Sequence, residues 1–139
     1  MHARSIFISL AGFGLLGAGL AACMQLSPPV SGQALYEENC AVCHGPGGRG
    51  DGPAAGAYSQ PLPDLTTLAA RNDGTFPMRQ VMSKIDGYTR GARVGEEGMP
   101  EMGALLEGDV VRFDSGDGIL TPTPVKLIAL AEYLETIQR

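Results

Sequence analysis

The sequence predicts a single all-α domain in which short helices are joined by long loops. The chain has 139 residues, a length typical of one domain. Hydrophobic residues make up 44% of it and charged residues 18%, as is typical of a globular protein. Twenty glycines and ten prolines indicate that much of the chain lies in turns and loops. Helices this short leave a small core, so we expect a large apolar group to fill the centre of the fold.

The first 22 residues have the pattern of a targeting segment. Arg4 supplies a positive charge, and residues 6–22 form an uncharged apolar run. An uncleaved membrane anchor is the alternative, although this run has the minimum length for crossing a bilayer and is rich in Gly and Ala.

The end of this segment, "LAAC" at residues 20–23, resembles the bacterial lipoprotein box. The resemblance implies cleavage before Cys23 and lipid on that cysteine. It divides the chain into a signal peptide (1–22), a lipid-anchored linker (23–30) and a domain (31–139). The protein would then lie on the periplasmic side of a bacterial membrane. An ordinary cleavage nearby would instead leave Cys23 as a free thiol.

The charge of the chain restricts its partners. Fifteen acidic residues stand against ten basic ones, which gives a formal net charge of −5. Such a surface does not suit binding to nucleic acid through phosphate contacts. Its long-range field favours a partner protein with a basic docking patch.

Three helical segments and a hairpin are predicted in chain order. A helix over 33–43 begins from Ser31 as N-cap, a short helix covers 65–71, and a third covers 76–85. In the third, apolar residues recur at helical spacing: Met78, Val81, Met82 and Ile85. Gly, Pro and Asp mark 45–64 and 86–98 as loops. Residues 110–121 carry the signature of a β-hairpin with a Gly/Asp turn, for which no role is evident.

The last segment gives the clearest helix. Thr123 is a candidate cap, and Pro124 suits the first turn. One face of this helix is then lined by Leu127, Leu130, Ala131, Leu134 and Gln138.

The first and last helices are expected to cross. Gly32 and Tyr36 share a helix face, and a glycine without a Cβ permits close approach of a second backbone. We therefore predict that Gly32 and Tyr36 pack against Leu130 and Tyr133. The alternative is that Gly32 is only a linker glycine before the helix.

The segment "CAVCHG" at 40–45 carries the chemistry of the chain. A structural zinc site needs four Cys or His ligands, but only Cys40, Cys43 and His44 are available after the signal. A thioredoxin-type dithiol needs a βαβ context, which the sequence does not show. Attachment of c-type haem fits the Cys-x-x-Cys-His spacing, because two thioethers about one helical turn apart reach one edge of a porphyrin and the histidine faces the iron.

The ligand opposite His44 is expected to be a methionine. The other histidine, His2, lies in the signal, so ligation by two histidines of this chain is excluded. Methionine is the usual alternative and gives a high reduction potential. The candidates are Met24, Met78, Met82, Met99 and Met102. Helical spacing favours core packing for Met78 and Met82, whereas Met99 and Met102 lie on a Gly/Pro loop.

The chain resembles the class I cytochromes c, which are carriers with a single haem. The resemblance rests on "GxxxYxxxCxxCHG" from residue 32, "GRGDGPAA" from 48, "PDL" from 63, "GMPEMG" from 98 and "LAEYL" from 130. It implies one haem c, bound covalently to Cys40 and Cys43, with iron ligated by His44 and Met99. Met102 is the alternative ligand. It also implies that the Pro63 carbonyl accepts a hydrogen bond from Nδ1 of His44.

This resemblance implies electron transfer between redox proteins rather than an enzyme with a small-molecule substrate. A peroxidase would need an open iron site or a second haem, and the chain has one Cys-x-x-Cys-His. The alternatives are a haem subunit fixed in a membrane-bound oxidoreductase and a haem-based gas sensor. The candidates for pairing with the haem propionates are Arg71, Arg79, Arg90 and Arg93.

Overall fold

The computed structural model describes residues 29–87, 98–100 and 102–139. The predicted signal peptide, Cys23, Met24, Arg90 and Arg93 lie outside the described residues. Within the described ranges, no helix is both long and apolar enough to cross a membrane.

Short helices dominate the described chain, as predicted, and one small sheet is added to them. The helices are α1 (Gly32–Asn39), α2 (Ala41–His44), α3 (Met78–Asp86), α4 (Gly103–Leu106) and α5 (Val125–Thr136). An antiparallel hairpin is formed by β1 (Val110–Asp114) and β2 (Leu120–Pro124). Single 3-10 turns lie at Ala55–Ala57, Leu65–Thr67 and Ala70–Asn72. The all-α prediction is therefore incomplete, since the hairpin forms a two-stranded sheet.

The first predicted helix is divided at Cys40. Ser31 caps α1 as predicted, because its side chain accepts a hydrogen bond of 3.2 Å from the Ala34 N–H. Cys40 ends α1, where its N–H donates to the Tyr36 carbonyl. The chain then starts the short helix α2, which ends at His44. Cys40 therefore lies at the end of α1, and Cys43 lies within α2.

The third predicted helix is confirmed, but the second is wrong. In α3, the predicted face buries Val81, Met82 and Ile85. Residues 65–71 form two 3-10 turns instead of one α-helix. The reason is local, since the Asp64 side chain caps Thr66 and holds the chain in a tighter turn.

The last helix begins one residue later than its predicted cap implies. Pro124 is the N-cap of α5, and the hydroxyl of Thr123 donates to the Thr121 carbonyl instead. Thr123 belongs to the hairpin, where it pairs with Val111. The predicted apolar face is buried and gains one residue; it consists of Leu127, Ile128, Leu130, Ala131 and Leu134. The helix ends at Thr136, so Gln138 lies beyond it.

Helices α1 and α5 cross in backbone contact at Gly32, which confirms the predicted packing. A Cβ added to Gly32 would collide with the Ala129 carbonyl and would lie 2.9 Å from Cβ of Tyr133. The rings of Tyr36 and Tyr133 pack at a centroid distance of 5.3 Å. Tyr36 and Leu130 are the largest fully buried side chains among the described residues. Gly32 is thus an interface residue rather than a linker glycine.

The residues after α5 hold the segment around Asp64. The Arg139 guanidinium donates to Asp64 Oδ2 at 2.9 Å and to the Thr66 hydroxyl at 2.8 Å. The Gln138 side chain donates to the Leu65 carbonyl at 2.8 Å and accepts from the Ala69 N–H at 2.9 Å. These bonds tie together parts of the chain that are about seventy residues apart in sequence.

Hydrogen bonds to Asp64 lower the pKa of its carboxyl to about 2. The two bonds from Thr66 are the main cause, and the hydrogen bond and charge of Arg139 add to them. A carboxyl with a lowered pKa stabilises the fold above its unfolded pKa of about 4, and this contribution is lost as pH falls towards 2.

We predict that Gly32→Val separates α1 from α5 and destabilises the protein. Overpacking typically costs roughly 1–3 kcal/mol, and the obstacle here is a backbone carbonyl that cannot change rotamer. Denaturant unfolding followed by far-UV circular dichroism should show a lower midpoint. The control is Gly56→Ala, because an added Cβ there meets no atom within 4 Å. A wild-type midpoint for Gly32→Val at an unchanged slope would contradict the crossing.

We predict that Asp64→Asn lowers stability at pH 7 and flattens its decline between pH 4 and pH 2. The neutral amide keeps the shape of the side chain but loses the charge that makes these bonds strong. Denaturant midpoints measured across this pH range test the effect. Asp73→Asn, at an exposed carboxyl outside this network, is the matched control. Equal pH profiles for wild type and Asp64→Asn would refute the assignment.

Candidate haem-binding site

A cavity of about 910 Å³ lies at the centre of the fold. This volume is near the upper end of the range for cofactor and small-molecule sites, which is roughly 300–1,000 Å³. Its walls come from α1 and α2, residues 58–68, α3, residues 98–100 and 102, and α5. Most of the lining is apolar, and it includes Leu62, Leu68, Val81, Ile85, Leu130 and Leu134.

Cys40, Cys43 and His44 all line this cavity from one side. The two cysteines are free thiols, each partly buried. The hydroxyl of the buried Tyr36 donates to the carbonyl of Gly45, directly after the histidine, at 2.7 Å. The α1–α5 crossing therefore fixes the position of the whole motif.

The glycine-rich loop after the motif wraps the end of α2. The N–H groups of Gly50, Gly52 and Ala54 donate to the last carbonyls of the motif, at 2.8, 3.1 and 2.8 Å. These bonds satisfy carbonyls that a helix end leaves without partners. A Cβ on Gly52 would lie 2.6 Å from the Cys43 carbonyl, so only glycine fits there. The "GRGDGPAA" segment thus shapes the site through its backbone.

The His44 imidazole is mostly buried, and its environment leaves one nitrogen unsatisfied. Burial lowers the pKa of His44, which favours the neutral ring that ligates metals. Its Nδ1 is buried without a hydrogen-bond partner. The predicted bond to the Pro63 carbonyl is not formed, although Pro63 lines the same cavity. The adjacent backbone is held elsewhere, since the Leu65 N–H donates to the Gly48 carbonyl at 2.7 Å.

Both candidate methionines of the "GMPEMG" loop reach the cavity. Met99 and Met102 are partly buried, and both line the cavity. Met102 is also the N-cap residue of α4, and its carbonyl accepts from the Leu106 N–H at 3.1 Å. Met78 and Met82 pack into the core cluster, as the helical spacing predicted. The structure therefore brings two sulfur ligands near the cavity and does not by itself select between them.

Neither a structural zinc site nor a thioredoxin-type dithiol is supported as the role of the cysteines. Within the described ranges, no group of three or more His, Cys, Asp and Glu side chains is placed to hold a metal ion. Burial raises the pKa of the Cys40 thiol to about 11, whereas a redox-active dithiol needs a lowered pKa. In the described part of the chain the sheet has two antiparallel strands, which is not a βαβ unit.

Two of the arginines considered for the haem propionates point elsewhere. Arg71 donates to the Asp64 and Thr67 carbonyls, and Arg79 pairs with Asp117 at 3.7 Å. Neither lines the cavity, and the basic residue that does so in the described part of the chain is Lys84. Lys84 and Gln80 share the cavity face of α3 with Val81 and Ile85. The helical spacing of these four residues is present in the sequence, but of the four only the apolar residues Val81 and Ile85 were predicted to share a face.

Tyr58 is another cavity residue that the sequence did not reveal. Its hydroxyl lies 4.0 Å from Sγ of Cys43, although the two residues are 15 positions apart in the chain. A lone tyrosine in a Gly/Pro-rich loop carries no periodic signal, so only the fold shows this proximity.

Comparison with known families gives an independent result. The family model for cytochrome c matches residues 29–138, which is most of the chain. The search of curated proteins and the search of solved structures each found no match.

The residues of the site fit a covalently bound haem. A large apolar cavity suits the porphyrin, two free thiols face it, and a neutral imidazole stands beside them. Cys-x-x-Cys-His is the attachment motif for c-type haem, and the chain presents it at the cavity wall. The cavity walls themselves fall within the matched residues. The chain therefore belongs to the cytochrome c family, as a class I c-type cytochrome that binds haem c covalently and transfers electrons.

Proposed function

We propose that the protein is an exported, lipid-anchored electron carrier whose haem c is attached to Cys40 and Cys43 and ligated by His44 and Met99. The observation that supports this most is that one apolar cavity collects both cysteines, the histidine and the methionine loop. Lipid on Cys23 would hold the domain at the periplasmic side of a bacterial membrane.

Each group of the site has a distinct role in this proposal. The bound haem supplies reversible one-electron chemistry. The neutral His44 ring offers a nitrogen lone pair, and its position is set by the Tyr36–Gly45 hydrogen bond. Apolar side chains from α3 and α5 exclude water from the cavity. A thioether ligand and a dry pocket both favour the reduced state, so we expect a high reduction potential.

The choice of Met99 over Met102 rests on the local sequence. Met99 precedes Pro100, as in the ligand loop that the class I cytochromes c share. Proline restricts the backbone of the residue before it, which limits how far the Met99 side chain can move. His44 and Met99 together would hold the iron and leave it no site for a substrate, so the protein would act as a carrier rather than an enzyme.

The partners proposed are redox proteins with a basic docking patch, because the chain carries a net charge of −5. A fixed subunit of a membrane-bound oxidoreductase is the second candidate function. The exposed apolar hairpin at 110–124 favours it, since a freely diffusing carrier has no use for a permanent apolar contact.

We predict that Met99→Ala abolishes the weak near-infrared absorption from sulfur to ferric iron. The same variant should lower the reduction potential, because a thioether ligand raises it. Met102→Ala is the matched control and should keep the band. Retention of the band in Met99→Ala together with its loss in Met102→Ala would assign the ligand to Met102.

We predict that Cys23→Ala prevents attachment of lipid to the protein. Two acyl chains give stable anchoring, and removal of the modified cysteine removes them. Mass spectrometry of the membrane-extracted wild type should find diacylglyceryl on an N-terminal Cys23. An intact Met1 start, or an unmodified soluble form, would contradict the anchor.

A further inference from the structure

The hairpin β1–β2 exposes an unusual share of the large apolar side chains. Six large hydrophobic residues are exposed in the described part of the chain, and four of them lie in or beside this hairpin. Their exposed fractions are 56% for Val110, 45% for Val111, 64% for Ile119 and 52% for Leu120. Single exposed apolar residues are ordinary, but a group of them on one element marks an interaction surface.

The strand register joins part of this group into a continuous row. Leu120, Pro122 and Pro124 alternate along β2 and therefore share one face. Val110 pairs with Pro124 and extends the row onto β1. We call these four residues the hairpin stripe. The opposite face carries Phe113, which packs against the core, and the buried Thr123, so the stripe faces away from the domain.

Hydrogen bonds at the turn make the hairpin rigid. One oxygen of Asp114 accepts from the N–H groups of Gly116, Asp117 and Gly118, at 2.8, 3.0 and 2.9 Å. Asp117 accepts from the Ile119 N–H at 3.0 Å and pairs with Arg79 on α3. A surface that is already ordered loses little entropy when it binds, so this rigidity suits a docking element.

Acidic groups stand at both ends of the stripe. Glu107 and Asp109 precede Val110, and Asp114 and Asp117 adjoin Leu120 at the turn. Hydrogen bonds from the turn backbone lower the pKa of Asp114, which keeps this carboxylate ionised. Within the hairpin the one cation is Arg112, which pairs with Pro122 and therefore lies on the stripe face, where its guanidinium donates to the Leu120 carbonyl at 3.3 Å. The surface is thus an apolar row with acidic residues at both ends and one cation, Arg112, beside its middle.

This charge pattern selects among the possible occupants. A second copy of this chain would bring acid against acid at the stripe. An anionic membrane would repel the same carboxylates. Addition of a strand from another protein is hindered on β2, because Pro122 and Pro124 have no N–H to donate. A protein with an apolar patch bordered by Lys and Arg avoids both kinds of charge repulsion and does not need to add a strand to β2.

We propose that the hairpin stripe docks such a basic-rimmed protein patch and holds the domain against a fixed partner. None of the hairpin residues lines the haem cavity. The contact therefore leaves the cavity side free to exchange electrons. This proposal goes beyond the ligation proposed above and does not depend on which methionine binds iron.

Photo-cross-linking of the full-length holoprotein in native membranes tests it. Leu120→benzoylphenylalanine places the reactive group on the stripe, and Val30→benzoylphenylalanine places it on an exposed residue outside the hairpin. We expect an adduct with one protein from position 120 and none from position 30. Mass spectrometry of the cross-linked peptide should find apolar residues next to Lys or Arg.

The charge requirement is tested in the same assay. Glu107→Lys combined with Asp109→Lys should reduce the adduct from position 120 by about tenfold or more, because like charges then face each other. Val110→Ser should also reduce it. Glu37→Lys combined with Glu38→Lys, on exposed positions of α1, should leave it unchanged. Haem absorbance of each variant shows that the fold is retained.

Four outcomes would overturn the proposal. They are adducts with lipid, adducts with a second copy of this chain, no protein adduct, and an adduct that survives the charge reversal at full yield. The readout does not involve electron transfer or axial ligation. Failure here therefore leaves the Met99 assignment untouched, and failure of that assignment leaves this test valid.

Discussion

The backbone contact between α1 and α5 at Gly32 is the interaction on which the haem site depends. The contact buries Tyr36 completely, and the tyrosine hydroxyl then reaches the Gly45 carbonyl. Because Gly45 directly follows His44, the crossing of two helices positions this histidine. The same burial raises the pKa of Tyr36 to about 12, so this donor keeps its proton throughout the neutral range. One residue without a side chain thus controls a site twelve positions further along the chain.

The two walls that flank the motif are held by different means. The glycine-rich loop is fixed by backbone hydrogen bonds to the end of α2. The 63–72 segment is fixed by side chains from beyond α5, through Gln138 and Arg139. Both sets of hydrogen bonds hold loop segments in place where the chain forms no long helix or strand. They explain how a domain with so much loop keeps a defined cavity.

Local patterns predicted the parts of the fold that local forces decide. The buried faces of α3 and α5 follow from helical periodicity, and the Gly32 contact follows from a glycine one turn before Tyr36. The break at Cys40 was not predictable, because Tyr36 and Cys40 keep helical spacing up to that residue and the Cys40 N–H still donates to the Tyr36 carbonyl. The 3-10 turns at 65–72 replace the predicted helix because the Asp64 side chain caps Thr66, and side chains about seventy residues away then hold this segment. Arg79 pairs with Asp117 in the hairpin turn, and the sequence predicted this turn but not its contact with α3.

The small core gives the covalently attached haem a structural role. Tyr36 and Leu130 are the large side chains that are fully buried in the described part of the chain, and both lie at the helix crossing. Much of the remaining apolar surface faces the cavity and is buried only when a flat apolar group fills it. A group that completes the core contributes to folding as well as to function, since the apolar surface that it covers leaves water only in the folded state. If that group could dissociate, the fold would lose stability with it. Two thioether bonds remove this possibility, so the motif that carries the chemistry also secures the core.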